Sequence, residues 1–178
     1  MSVVRTPLGW AAHSPARSAA TDACSDEMLI RRIAGGDQLA MRTLFGRHQV
    51  AVYRWLLRRV ADEALAEDLL SEVFLAVWWQ AASFNGHFSV STWLLAIARK
   101  QALAARRGRS HDRLASIVPD LRHAFARLSP EHGEVIDLVY YHGKTIKEVA
   151  DIVGINEATV KRRMFYARSK LAELAASA

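Results

Sequence analysis

Apolar residues first recur at helical spacing from Asp26 onward, at Met28, Leu29 and Ile33. Residues 1–25, rich in Ala, Ser, Thr and Pro, carry no such period and read as a flexible arm. After Gly35-Gly36-Asp37 the set Leu39, Met41, Leu44, Phe45, His48, Val52, Trp55 and Leu56 returns at three and four, so two amphipathic helices flank a glycine turn. A third helix is predicted over 62–82, with Asp62 as N-cap, Leu65, Leu69, Val73 and Val77 on one stripe, and Leu70, Phe74 and Trp78 beside it. A stripe that wide implies burial on more than one side. A polar loop over 83–91 holds Asn85-Gly86, and a helix from Thr92 through Trp93, Leu94, Ile97, Ala98 and Leu103 ends at Arg106-Arg107-Gly108.

Residues 109–120 lose the period and read as a linker, and Leu121–Leu128 forms a further helix. Ser129-Pro130-Glu131 supplies an N-cap, a proline at the first helical position and an acid in the first turn of the next helix, which ends near His142-Gly143. Thr145-Ile146-Lys147-Glu148 has the spacing of a capping box and opens a short helix to Val153. Gly154-Ile155-Asn156 is a tight turn, and Glu157 opens a last helix to about Ala175. Strict alternation appears nowhere over a strand length, so the chain is read as all-α. It divides into two small helical domains, 26–108 and 121–176.

Composition sharpens that outline. The 178 residues are 51% hydrophobic and 24% charged, with a mean hydropathy of +0.01, which suits a globular chain and excludes a fibrous or wholly disordered one. No apolar run approaches the ~20 residues of a membrane span, and no basic stretch leads into an apolar one at Met1, so a cytoplasmic protein is expected. One cysteine, Cys24, precludes an intramolecular disulfide and lies in the arm. The 24 Lys and Arg against 18 Asp and Glu leave a net charge of +6, which points to a polyanionic partner only where the cations cluster. Motifs for a nucleophile elbow, a phosphate-binding loop or a metal site are missing, so neither an enzyme nor a cofactor or metal site is expected.

Cations do cluster on the last helix. Val160, Met164, Ala167, Leu171 and Leu174 give it one buried stripe, and Glu157, Ala158, Lys161, Arg162 and Phe165 lie off that stripe, near the end that meets base edges in a helix-turn-helix. Arg163, Arg168 and Lys170 can reach phosphates, and Lys144 and Thr145 at the entry of the preceding helix can add a backbone contact. Trp78-Trp79, the loop Phe84-Asn85-Gly86-His87-Phe88-Ser89, Trp93, Arg99 and Lys100 combine rings with cations, as single-stranded nucleic acid requires. By pattern alone, however, aromatics at helical spacing are core. Glu63/Glu67 and Asp68/Glu72 stand i, i+4 and repel one another, which hints at a basic protein partner or marks a merely solvated face.

Two of these stretches, in this order, resemble the extracytoplasmic-function group of bacterial RNA polymerase sigma factors. Ala66-Glu67-Asp68-Leu69-Leu70-Ser71-Glu72-Val73-Phe74-Leu75-Ala76-Val77-Trp78 is similar to the family's region 2.2 helix, and Leu128-Ser129-Pro130 with Thr145 through Arg163 is similar to region 4. The resemblance spans Asp26 to Leu174. It implies that residues 26–108 dock on the core polymerase clamp and melt the minus-ten element, while 121–176 read the minus-thirty-five element. Asp68, Leu69, Glu72 and Val73 become polymerase contacts. Asn85, Gly86, His87, Phe88 and Ser89 become a base-capture loop, backed by Trp93, Arg99 and Lys100. Lys144, Thr145, Glu157, Ala158, Thr159, Lys161, Arg162, Arg163, Phe165, Tyr166 and Arg168 face upstream DNA. Promoter DNA, core polymerase and an anti-sigma factor responding to stress are the implied partners of a monomer. Ser71, Lys100, Gly133 and Arg162 depart from the family's usual Gln, Asn, Arg and Ser, which bears on promoter preference. A stand-alone helix-turn-helix regulator would leave the acidic helix and aromatic loop without a role, and a helical adaptor would leave the basic helix without one.

Overall fold

The computed structural model describes residues 24–107 and 128–176. The described residues form seven α-helices and one 3-10 turn, with no strand. The helices are α1 (Asp26–Ala34), α2 (Gln38–Val60), α3 (Glu63–Gln80), α4 (Val90–Arg107), α5 (Pro130–Tyr140), α6 (Ile146–Val153) and α7 (Glu157–Ala176). The linker 109–120 and the helix expected at 121–128 lie outside the described residues, except for Leu128, which is a bend.

Local chemistry sets most boundaries. The Ser25 hydroxyl accepts from Met28 N–H at 3.3 Å and so starts α1. Asp37 caps α2 through Leu39 and Ala40, and Arg32 clamps the same carboxylate at 2.7 Å. Asp62 caps α3 as predicted, accepting from Leu65 N–H at 3.1 Å. Cys24 belongs to the folded part rather than to the arm: its carbonyl accepts from Arg47 at 2.8 Å, and its side chain packs against the core. Helix α4 begins at Val90, two residues before the expected Thr92, because the Ser89 hydroxyl accepts from Thr92 N–H and its carbonyl from Trp93 N–H.

Helices α1 to α4 pack around Leu29, Ile30, Leu44, Trp55, Leu56, Val73, Val77 and Leu94, all essentially inaccessible to water. Phe45 meets Phe74 edge-on at 4.8 Å. In the C-terminal part α5, α6 and α7 bury Val135, Ile136, Leu138, Val149, Val160 and Ala167. The sequence suggests two bodies on a linker; instead, α6 packs against α4, and the core runs from one set of helices into the other. None of the described helices is long and apolar enough to cross a membrane.

Candidate nucleic-acid and protein interfaces

The helix-turn-helix forms as its spacing implies. Thr145 Oγ1 accepts from Glu148 N–H at 3.2 Å, and Glu148 Oε2 accepts from Thr145 N–H at 3.0 Å, closing the capping box. Gly154 then turns the chain with φ +73°, a left-handed conformation that L side chains adopt only at a cost. Asn156 Oδ1 accepts from Thr159 N–H at 2.8 Å and starts α7. Val160, Met164 and Ala167 are buried beneath it, and Leu171 packs against the core. Glu157, Ala158, Lys161, Arg162, Phe165, Tyr166 and Arg168 are all exposed, while Thr159 is half-buried. Phe165 and Tyr166 stand 66% and 55% in solvent, edge-on to each other at 5.7 Å. An apolar pair that large has no packing reason to face water, and it suits contact with DNA.

Three cations are less free than the pattern suggests. Arg163 forms an ion pair with Glu131 of α5 at 2.6 Å, and Lys170 pairs with Glu173 at 2.9 Å. Lys144 is almost buried: its Nζ donates to Ser91 Oγ at 2.7 Å and Thr92 Oγ1 at 3.2 Å, and lies 3.6 Å from Glu148. In this arrangement Lys144 binds the N-terminal domain rather than a phosphate, although Thr145 beside it is exposed.

The second candidate site is a projecting loop. Asn85 Oδ1 accepts from His87 N–H at 3.1 Å, and Gly86 has φ +73°, so an Asx turn holds Asn85 to Ser89 out in solvent. Phe88 is 39% exposed with no core role, and Phe84 packs on Trp93 at 5.2 Å behind it. Trp93 is therefore half-buried support for the loop, Lys100 is exposed, and Arg99 donates to Glu134 of α5 at 3.1 Å.

On α3, Glu63, Glu67, Asp68 and Glu72 are exposed, as a protein-facing acidic surface requires. Leu69 and Val73 correct the sequence reading: at 3% and 0% exposure they are core residues and cannot touch a partner. Their place on the outer face belongs to Leu75 and Trp79, 57% and 75% exposed. With Asp68 and Glu72 these two continue one stripe at spacings of four, three and four. That run was present in the sequence, but apolar residues at helical spacing read as core.

Sequence reasoning also missed the acids of α5. Glu134 and Asp137 are both under 10% exposed and meet arginines of the N-terminal domain: Asp137 Oδ1 lies 2.7 Å from Arg58 Nε, and Glu134 Oε1 lies 3.1 Å from Arg99 and 3.9 Å from Arg59. Burial pushes the Asp137 carboxyl up despite Arg58 and Arg59, and burial likewise lowers the Arg59 guanidinium. The His142 imidazole falls to about 4 through burial and the neighbouring Arg58, Lys144 and Arg59, so it is neutral and can accept from Arg58 at 2.8 Å. Glu148 moves the other way. Desolvation raises it, but the Thr92 hydroxyl at 2.6 Å, the Thr145 N–H and Lys144 together hold it at about 2.

Among the described residues, no group of His, Cys, Asp or Glu could hold a metal ion. What the surface offers is three separate faces: an acidic and apolar stripe on α3, an aromatic loop before α4, and a basic aromatic face on α7.

Comparison with known proteins finds two family regions along the chain. Residues 44–111 match Sigma-70 region 2, and residues 124–173 match Sigma-70, region 4. The chain is 30% identical over 156 residues to the ECF RNA polymerase sigma factor SigL of Mycobacterium tuberculosis, covering 75% of this chain and 88% of SigL. It is 28% identical over 162 residues to SigK of Mycobacterium bovis, covering 78% and 87%. In three dimensions it resembles CnrH, solved in complex with the cytosolic domain of CnrY, with a TM-score of 0.70 at 24% identity, covering 85% of this chain and 97% of that one. It also resembles RpoE of Bartonella quintana, solved with the anti-sigma factor NepR, at a TM-score of 0.64, 22% identity and coverages of 75% and 94%. The two region matches and the shared length with SigL decide between the alternatives left open by the residues: this chain belongs to the sigma-70 family of RNA polymerase sigma factors, in its extracytoplasmic-function group.

Proposed function

We propose that each of the three faces carries one step of promoter-specific initiation. The stripe Asp68, Glu72, Leu75 and Trp79 docks on a basic, partly apolar surface of core RNA polymerase. The loop Asn85 to Ser89, backed by Trp93 and Lys100, takes an unstacked base of the minus-ten element, with Phe88 as the ring it meets. The exposed residues of α7, Lys161, Arg162, Phe165, Tyr166 and Arg168, enter the major groove of the minus-thirty-five element, with Glu157, Ala158 and Thr159 at the leading end. Arg163, tied to Glu131, serves as a fixed phosphate contact at most. Nucleotide chemistry stays with the polymerase, and this chain contributes binding and positioning as a cytoplasmic monomer. An anti-sigma factor responding to an environmental signal controls it; two proteins of the same fold were solved with partners, CnrH with the cytosolic domain of CnrY and RpoE with NepR.

The observation that carries this reading is the turn-held loop at Asn85 to Ser89, in which Asn85 to Phe88 stand in solvent and pack no core, while Ser89 at its end caps α4. Footprinting of the holoenzyme on a cognate promoter tests it. With wild-type protein, minus-ten thymines become permanganate-reactive and the upstream element is protected. Asn85→Ala with Phe88→Ala loses the reactivity and keeps the upstream protection; Lys161→Ala with Arg162→Ala loses the upstream protection while core binding survives. Loss of both signals from either variant would overturn the division of labour.

A further inference from the structure

Arg58 and Arg59 at the end of α2 and Arg99 on α4 converge on one patch of the N-terminal domain, although they come from two helices. One carboxylate oxygen, Glu134 Oε1, lies within 4 Å of both Arg59 and Arg99, so these two guanidiniums are close neighbours. The third, Arg58, is matched by Asp137. Among the described residues, the carboxylates paired with the patch, Glu134 and Asp137, both come from α5 of the other domain. Two carboxylates against three guanidiniums leave the patch one positive charge in excess. Nε and Nη2 of Arg59 are buried with no hydrogen-bond partner among the described residues, so its best donors are poorly used here.

This arrangement cannot persist on a promoter. The minus-ten and minus-thirty-five elements are separated by about 25 base pairs, or about 85 Å of duplex at 3.4 Å per step. Here the two DNA-facing parts touch: Glu148 Oε1 lies 3.2 Å from Ser89 of the base-capture loop, and Lys144 lies 2.7 Å from Ser91. When each domain sits on its own element, α5 must leave, and three clustered guanidiniums are left without counter-charge beside the minus-ten face. Planar forks of this kind match phosphate oxygens in pairs.

We propose that Arg58, Arg59 and Arg99 form a DNA backbone-phosphate site on the N-terminal domain, and that Glu134 and Asp137 of α5 occupy it in place of DNA while the two domains are packed together. The proposal rests on the reading of this domain as the minus-ten binder and adds Arg58 and Arg59 to it. The acids of α5 thereby act as an internal substitute for the nucleic-acid backbone, and promoter DNA competes with the protein's own helix for the same cations.

Fluorescence anisotropy of labelled oligothymidylate with the full chain tests the site. Glu134→Gln with Asp137→Asn keeps the shapes and removes both charges. It is expected to bind the oligonucleotide at least ~10-fold more tightly than wild type, with a salt slope steeper by about 2, the value for three single-strand phosphate contacts. Adding Arg58→Gln and Arg99→Gln should remove about two-thirds of the added slope, leaving about 0.7 for Arg59, and most of the gain in affinity. Unchanged binding by the acid-free variant, or a gain that survives loss of the arginines, overturns the proposal. If the acid-free variant does not fold, the holoenzyme decides: Arg58→Gln alone should weaken promoter binding evenly across promoter sequences and lower the salt slope by about 0.9, and an unchanged slope overturns the site. The two readings fail separately, because a wild-type holoenzyme that melts no minus-ten DNA refutes the parent assignment while the oligothymidylate result still tests the cations.

Discussion

Replacing Thr92 by Val tests whether the two domains are held together as described. Thr92 is 1% exposed, and its hydroxyl donates to Glu148 Oε1 at 2.6 Å across the domain boundary while accepting from Lys144 at 3.2 Å. Valine fills nearly the same volume but offers neither bond. A hydrogen bond to a charged group contributes about 1.5–3 kcal/mol. The carboxyl group gives an independent figure: its fall from 4.5 to about 2 corresponds to about 3 kcal/mol in full. The side chain is 26% exposed, so screening by solvent reduces that to about 1–2 kcal/mol. Part of it belongs to Thr145, in the same domain, and survives separation. Because the folded value is depressed, the contribution is complete above pH 4.5 and is lost as pH falls through about 2. Thr92→Val should therefore cost about 1–2 kcal/mol in urea unfolding at pH 7, and should move the Glu148 carboxyl, followed by carbon NMR, back toward 4.5. A wild-type Glu148 that titrates near 4.5, or a variant that changes neither reading, would refute the interdomain contact.

Other outcomes follow from the same geometry. Asp68→Arg with Glu72→Arg should weaken binding to core polymerase at least ~10-fold, equivalent to about 1.4 kcal/mol, with Tm unchanged because both acids are exposed. Trp79→Ala should weaken the same binding by about 2 kcal/mol, as a central aromatic anchor does, again without loss of stability, and pull-down with purified core reads both. Gly154→Ala places a Cβ at φ +73° and should cost about 1–2 kcal/mol, seen as a Tm lowered by several degrees.

Local signals in the sequence were legible wherever the physics is local. The capping box at Thr145 and Glu148, the glycine turn at Gly154 and the Asp62 cap involve partners within a few residues, and each forms as read. The exposed loop followed from Asn85-Gly86, and the basic face of α7 from the spacing of its apolar stripe. Long-range facts were not legible. Leu69 and Val73 lie on the stripe that helical spacing marks as apolar, and only the resemblance makes them polymerase contacts; packing against the neighbouring helices keeps those two inward and leaves Leu75 and Trp79 facing out. Glu134 and Asp137 sit among Val135, Ile136 and Leu138, and nothing in α5 alone says that arginines from α2 and α4 make their burial tolerable. The same pairs explain why two predicted domains are found packed together, and why Lys144 faces the N-terminal domain rather than solvent.

The most direct test of the central claim is run-off transcription from a cognate promoter with purified core polymerase, with and without this protein. The account predicts start-site-specific RNA only when the protein is added, and its loss with Asp68→Arg plus Glu72→Arg. Tight duplex binding by the free protein, with no association with core and no specific transcript, would contradict it.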